Sequence, residues 1–153
     1  MRGILAALLM SLFAATAHAE NQTPYSGTAV VETAKPFAAY LKKLKGAIMA
    51  NRLAIVAQAC ATCGARAIGV TIPGNRVIMV YAPNFAVRML KASEAAGIEA
   101  PLRLYVTEQT DGTARLTYRL PSHIFAPYEV DALNEMAVEL DQIFAEIVRQ
   151  AGS

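Results

Sequence analysis

Apolar side chains recur along this chain with two different periods, and the changes of period mark its elements. Across residues 34–50, Phe37, Leu41, Leu44 and Ile48 follow one another at helical spacing and share one face. Pro36 falls in the first turn of that predicted helix, where a missing N–H costs nothing. Lys42, Lys43 and Lys45 lie off the apolar face. A longer amphipathic helix is predicted over residues 129–150, where Val130, Leu133, Ala137, Leu140, Phe144 and Ile147 keep the same period. Strands are predicted at 28–32, 52–58 and 76–81, the last rich in Val and Ile. Residues 102–108 and 113–120 alternate about Asp111-Gly112, the pattern of a β-hairpin. A brief helix over 62–68 stops at Gly69, and another opens at Pro83-Asn84 and closes at Gly97. The predicted order is β-α-β-α-β-α-β-β-α, a single two-layer α+β domain ending in an amphipathic helix.

The first residues follow a different logic. Arg2 is a positive start, residues 4–15 are apolar except for Ser11, and Ala17-His18-Ala19 is an A-x-A cleavage pattern. A secretory signal peptide over 1–19 is therefore expected, cleaved after Ala19. A loose lead-in at 20–27 and one domain at 28–151 follow. The apolar run is too short for a bilayer span, and Glu20 stands where a lipoprotein would need Cys. The expected location is periplasmic or secreted. Export would carry Cys60 and Cys63 into an oxidising compartment.

Composition narrows the function classes. The chain has 153 residues with a net charge of +2, which argues against a general nucleic-acid binder. Residues 35–52 carry five basic side chains and no acid, whereas 129–146 carry six acids and no base. These read as the solvated faces of two helices, with cross-dimer attraction as the sharper alternative. There is no P-loop, no dinucleotide-binding glycine fingerprint and no metalloprotease helix.

The stretch 89–128 carries a resemblance. Leu90-Lys91-Ala92 leads through Gly97-Ile98-Glu99-Ala100-Pro101-Leu102-Arg103-Leu104 to Tyr105-Val106, then Asp111-Gly112 and Leu116-Thr117-Tyr118-Arg119-Leu120-Pro121-Ser122. This resembles the domain-of-unknown-function 302 family over about residues 28–151. The resemblance implies a compact α+β domain and a homodimer, and it implies no reaction. Two places depart from the family pattern. Ala82-Pro83-Asn84 reverses the usual Asn-Pro, and Gln58-Ala59-Cys60 replaces an Asp-His, so no histidine role carries over there.

Cys60-Ala61-Thr62-Cys63 holds the chemistry that can be read from residue types. A C-x-x-C where a strand enters a helix can be a redox pair with lowered thiol pKa, a pair of ligands for a soft ion such as Cu(I), or a plain structural disulfide. Cys60 is expected to be the more accessible. Covalent haem is excluded because residue 64 is Gly rather than His. A closed zinc site lacks ligands, since His123 is the one histidine after the signal. The element order also resembles a thioredoxin, with Pro101 ahead of the hairpin where thioredoxins have a cis-proline. Ala59 in place of Trp and the glycines at 64 and 69 weaken that second likeness.

The leading expectation is an exported dimeric binding module of the cell envelope, taking a soft metal or small ligand near the C-x-x-C. A periplasmic thiol–disulfide oxidoreductase using Cys60 and Cys63 is the alternative. Arg103, Arg115 and Arg119 fall on one face of the hairpin with Tyr105, Thr107 and Thr117. That face is either a solvated surface or an anion-binding site. His123, in a predicted loop, and Ser122 lack a neighbouring catalytic partner in sequence. Met49, Met79 and Met89 are expected in the core.

Overall fold

The structure, a computed structural model, describes residues 24–153; the predicted signal segment lies outside the described residues. Its frame is a five-stranded sheet built from β1 (Thr28–Pro36), β2 (Ala54–Ala59), β3 (Asn75–Tyr81), β4 (Leu102–Glu108) and β5 (Thr113–Arg119). The strand order is β1-β5-β4-β3-β2 and every neighbouring pair is antiparallel. Three helices, α1 (Phe37–Ala50), α3 (Pro83–Ala92) and α5 (Asp131–Gly152), supply apolar side chains to one side of this sheet. Two short ones, α2 (Ala61–Ala67) and α4 (Pro121–Phe125), sit in connections. The architecture is two-layered α+β in the predicted order, with α4 as an addition. Among the described residues no helix is long and apolar enough to cross a membrane.

Alternation along the strands decides which side is dry. Ile78 and Val80 on β3, Leu104 and Val106 on β4, and Leu116 and Tyr118 on β5 point under the helices and are buried. They meet Leu44 and Ile48 of α1 and Leu133, Met136, Phe144 and Ile147 of α5. Each such side chain contributes about 1.5–3 kcal/mol by leaving water. Tyr118 packs on Phe144 with ring centroids 5.5 Å apart. The α1 stripe seen in the sequence is the buried one, with Tyr40 and Ala47 completing it. Burial pushes the Tyr40 phenol up to about 12, with the nearby Tyr118 adding to it, so the hydroxyl stays protonated.

Two expectations shift. Pro36 closes β1 and immediately precedes α1, rather than lying inside the helix. A β-bulge between Glu32 and Pro36 prolongs β1 past the predicted end, and the buried Thr33 hydroxyl donates to Ala114 O at 2.6 Å. Of the methionines, Met89 is in the core, but Met79 lies half-buried on the outer face of β3 and Met49 is 62% exposed. Met49 follows Ile48 by one residue, a rotation of about 100° off the buried stripe.

The hairpin is as predicted. Gly112 takes φ +80 at the turn, and the Asp111 carboxylate accepts from both the backbone N–H and the hydroxyl of Thr113. Those hydrogen bonds hold its pKa below the usual carboxylate value.

Candidate functional site

β2 is an edge strand, paired only with β3, and most of its residues are exposed. It runs directly into Cys60, which precedes α2 as its N-cap. Cys60 Sγ accepts the backbone N–H of Cys63 at 3.1 Å, so the thiol position doubles as a helix cap. The two residues form a disulfide with Cα atoms 5.2 Å apart. Helix geometry explains the pairing, since positions three apart lie on the same side of a turn.

The capping role reverses one expectation. Cys60 turns inward to meet the helix backbone and is half-buried, whereas Cys63 is exposed. Of the two, Cys63 is the more exposed residue. The helix that carries the pair buries none of its residues. It is held by the Thr62 hydroxyl donating to Pro73 O at 3.0 Å and by packing against β3. Ile68 and Val70, just beyond it, are largely solvent-exposed. The disulfide thus stands on an outlying ledge at one corner of the sheet.

What surrounds the pair sets its chemistry. Among the described residues no group of three or more His, Cys, Asp and Glu side chains could hold a metal ion. On reduction one chain would offer two thiolates, a donor set suited to a soft monovalent ion. His123 is elsewhere, exposed on α4, with its ring lying over the backbone of Gly27. Ser122 uses its backbone N–H, not its hydroxyl, to reach Asp141 Oδ1 at 3.0 Å. That contact satisfies an orphan donor at the start of α4. Asp141 comes from α5, so the sequence neighbourhood of Ser122 gave no signal for it.

Pro101, which follows a cis peptide bond, precedes Leu102, and Leu102 pairs with Val80. Cys60 instead follows Ala59, which pairs with Val77. Proline and cysteines are therefore at different ends of the strands, roughly 16 Å apart along β3. No parallel pair exists in the sheet, whereas a thioredoxin-type C-x-x-C belongs to a βαβ pattern. The thioredoxin likeness stops at the order of elements.

The three hairpin arginines share the outer face of the sheet, as predicted, but have different surroundings. Arg115 is opposite Glu32 in the β1–β5 register and donates from Nε to its Oε1 at 2.6 Å. Arg103 and Arg119 lie at the other end of the hairpin, where Leu104 pairs with Tyr118 one step earlier. Beside them Tyr105 receives a hydrogen bond from the Asn75 amide.

These features define an antiparallel two-layer α+β domain with an exposed C-x-x-C disulfide at one edge and a helix-free sheet face. The family model for the Domain of unknown function DUF302 matches residues 29–151, and the chain belongs to that family. Among solved structures it is similar to an uncharacterized conserved protein DUF302 from Bacillus stearothermophilus. The likeness has a TM-score of 0.74 and 17% identity, covering 83% of this chain and 99% of the other. At that identity the likeness concerns the fold. No curated protein matches the chain significantly.

Proposed function

We propose that the protein is an exported, dimeric binding module of the cell envelope, whose Cys60–Cys63 pair, once reduced, holds a soft metal ion of the Cu(I) type. The observation that carries this reading is the position of the two sulfurs. They are adjacent, on a solvent-facing ledge whose helix buries none of its residues. Two thiolates at that spacing satisfy an ion that accepts low coordination, and hard ions such as Mg²⁺ gain nothing from them. The export expectation rests on the N-terminal sequence pattern, and the dimer on the family resemblance and the apolar content.

The test begins with reduced protein under argon, titrated with Cu(I) against a colorimetric Cu(I) chelator. The expected result is withdrawal of stoichiometric copper from the chelator, with a thiolate-to-copper absorbance that Cys60→Ser and Cys63→Ser each abolish. Copper left on the chelator by the reduced wild-type chain would overturn the proposal.

The exposure of Cys63 favours a second reading as a thiol–disulfide oxidoreductase. A substrate thiolate would attack the Cys63 sulfur and release the Cys60 thiolate, leaving a mixed disulfide that a second substrate thiol resolves. The disulfide is thereby reduced and the substrate dithiol oxidised. Run in reverse, the reduced pair reduces a substrate disulfide and is itself oxidised. An added dithiol reductant then restores it, which is the direction an insulin assay reads. Turnover in an insulin-reduction assay that Cys63→Ser abolishes would replace the binding reading with this one.

A further inference from the structure

Arg103 and Arg119 form the most unusual charge arrangement on the outer face of the sheet. Leu104 pairs with Tyr118 in the antiparallel β4–β5 ladder, so the next step outward sets Arg103 beside Arg119. Leu104 and Tyr118 point into the core, so both arginines point away from it, and both are exposed. Like charges directly across a strand pair are destabilising. Three other arginines do have ion-pair partners. Arg88 pairs with Glu139, Arg115 with Glu32 and Arg149 with Glu146. Among the described residues neither Arg103 nor Arg119 has a carboxylate within ion-pair distance.

The same two side chains line one small hollow with Glu99, Leu102 and Ile124. Glu99 is the one acid there, and its carboxylate accepts a hydrogen bond from the Tyr128 hydroxyl at 3.1 Å. Thr28, opposite Arg119 on β1, adds a hydroxyl-bearing neighbour on the same face. Two adjacent guanidinium forks over a small concavity match a tetrahedral oxyanion, which each fork can grip through two parallel N–H···O bonds.

We infer that the Arg103–Arg119 pair is a binding site for a doubly charged oxyanion of the phosphate class. It lies at the opposite end of the strands from the disulfide and does not depend on the thiols. A dianion would convert the repulsion between the two arginines into a shared attraction, which gives the site its preference for double over single charge.

Inorganic phosphate is the probe, titrated at constant ionic strength and followed through the arginine side-chain N–H resonances. Saturable binding is expected, weakened about tenfold or more in Arg103→Gln and in Arg119→Gln. Arg115→Gln, which removes the same charge from the same face, should leave it nearly unchanged. Melting curves of the three variants check that each remains folded. A second arm uses vesicles containing phosphatidic acid, whose phosphomonoester headgroup can carry two charges. Cosedimentation lost in Arg119→Gln but kept in Arg115→Gln assigns the phosphate to a lipid headgroup, and no cosedimentation assigns it to a soluble ligand. Absence of saturable phosphate binding, or equal weakening in all three variants, would overturn the inference, the latter because it reports net charge alone.

Discussion

Gly27 shows how far a single backbone angle reaches in this fold. It sits just before β1 at φ +74, and its carbonyl accepts the N–H of Leu120 at 2.8 Å, tying the first strand to the entry of α4. A Cβ added there would fall 2.0 Å from Cγ of the His123 ring. Gly27→Ala is therefore penalised twice, by the left-handed angle and by the collision. The expected destabilisation is more than about 1 kcal/mol, read as a lowered melting temperature. The double variant with His123→Ala should recover the part due to the collision and leave the part due to the angle. Equal loss in single and double variants would mean that the ring moves aside freely. This position has a wider lesson, since His123 looked like a loop histidine of open purpose in the sequence. Its role as a ring over glycine depends on a contact between distant segments. Asp141 reaching Ser122 was hidden for the same reason.

At the scale of elements, local pattern carried most of the information. The β4–β5 hairpin was legible because alternation and an Asp-Gly turn act over a few residues, and α5 because its apolar stripe is long. Failures cluster where tertiary contacts decide. β1 runs on to Pro36 because β5 offers it a partner, and the span after Leu120 forms α4 because α5 covers it. The C-x-x-C was visible as a pair, but its exposure order was not, since the Cys60 side chain is spent on capping. The isolation of α2 has a consequence for stability. Closing so short a loop is worth about 2 kcal/mol at most in the chain-entropy account, and the helix it staples buries nothing. Reduction is expected to lower the melting temperature by only a few degrees while both cysteines become alkylatable. A collapse of the melting transition on reduction would instead make the disulfide a structural staple.

At the scale of the whole molecule, more than half of the residues are apolar, and several large apolar side chains remain on the surface. Val56, Ile68 and Val70 on and beyond the edge strand are at least 48% exposed. Light scattering on the chain without its first 19 residues should give the mass of two subunits at micromolar concentration, and the mass of one subunit would overturn the dimer. Strand order, unlike strand position, could not be read along the chain, because the pattern of one strand does not name its neighbour. That order places β1 against β5, with Glu32 and its partner Arg115 separated by 83 residues. A chain emerging from the ribosome thus carries its first strand unpaired until most of the protein has followed. Until then Val30 and Val31 have no sheet to join, and β1 remains a template that any other extended segment can occupy. The last hairpin to be synthesised covers one side of that template, and the other side stays open because β1 is an edge strand of the finished sheet.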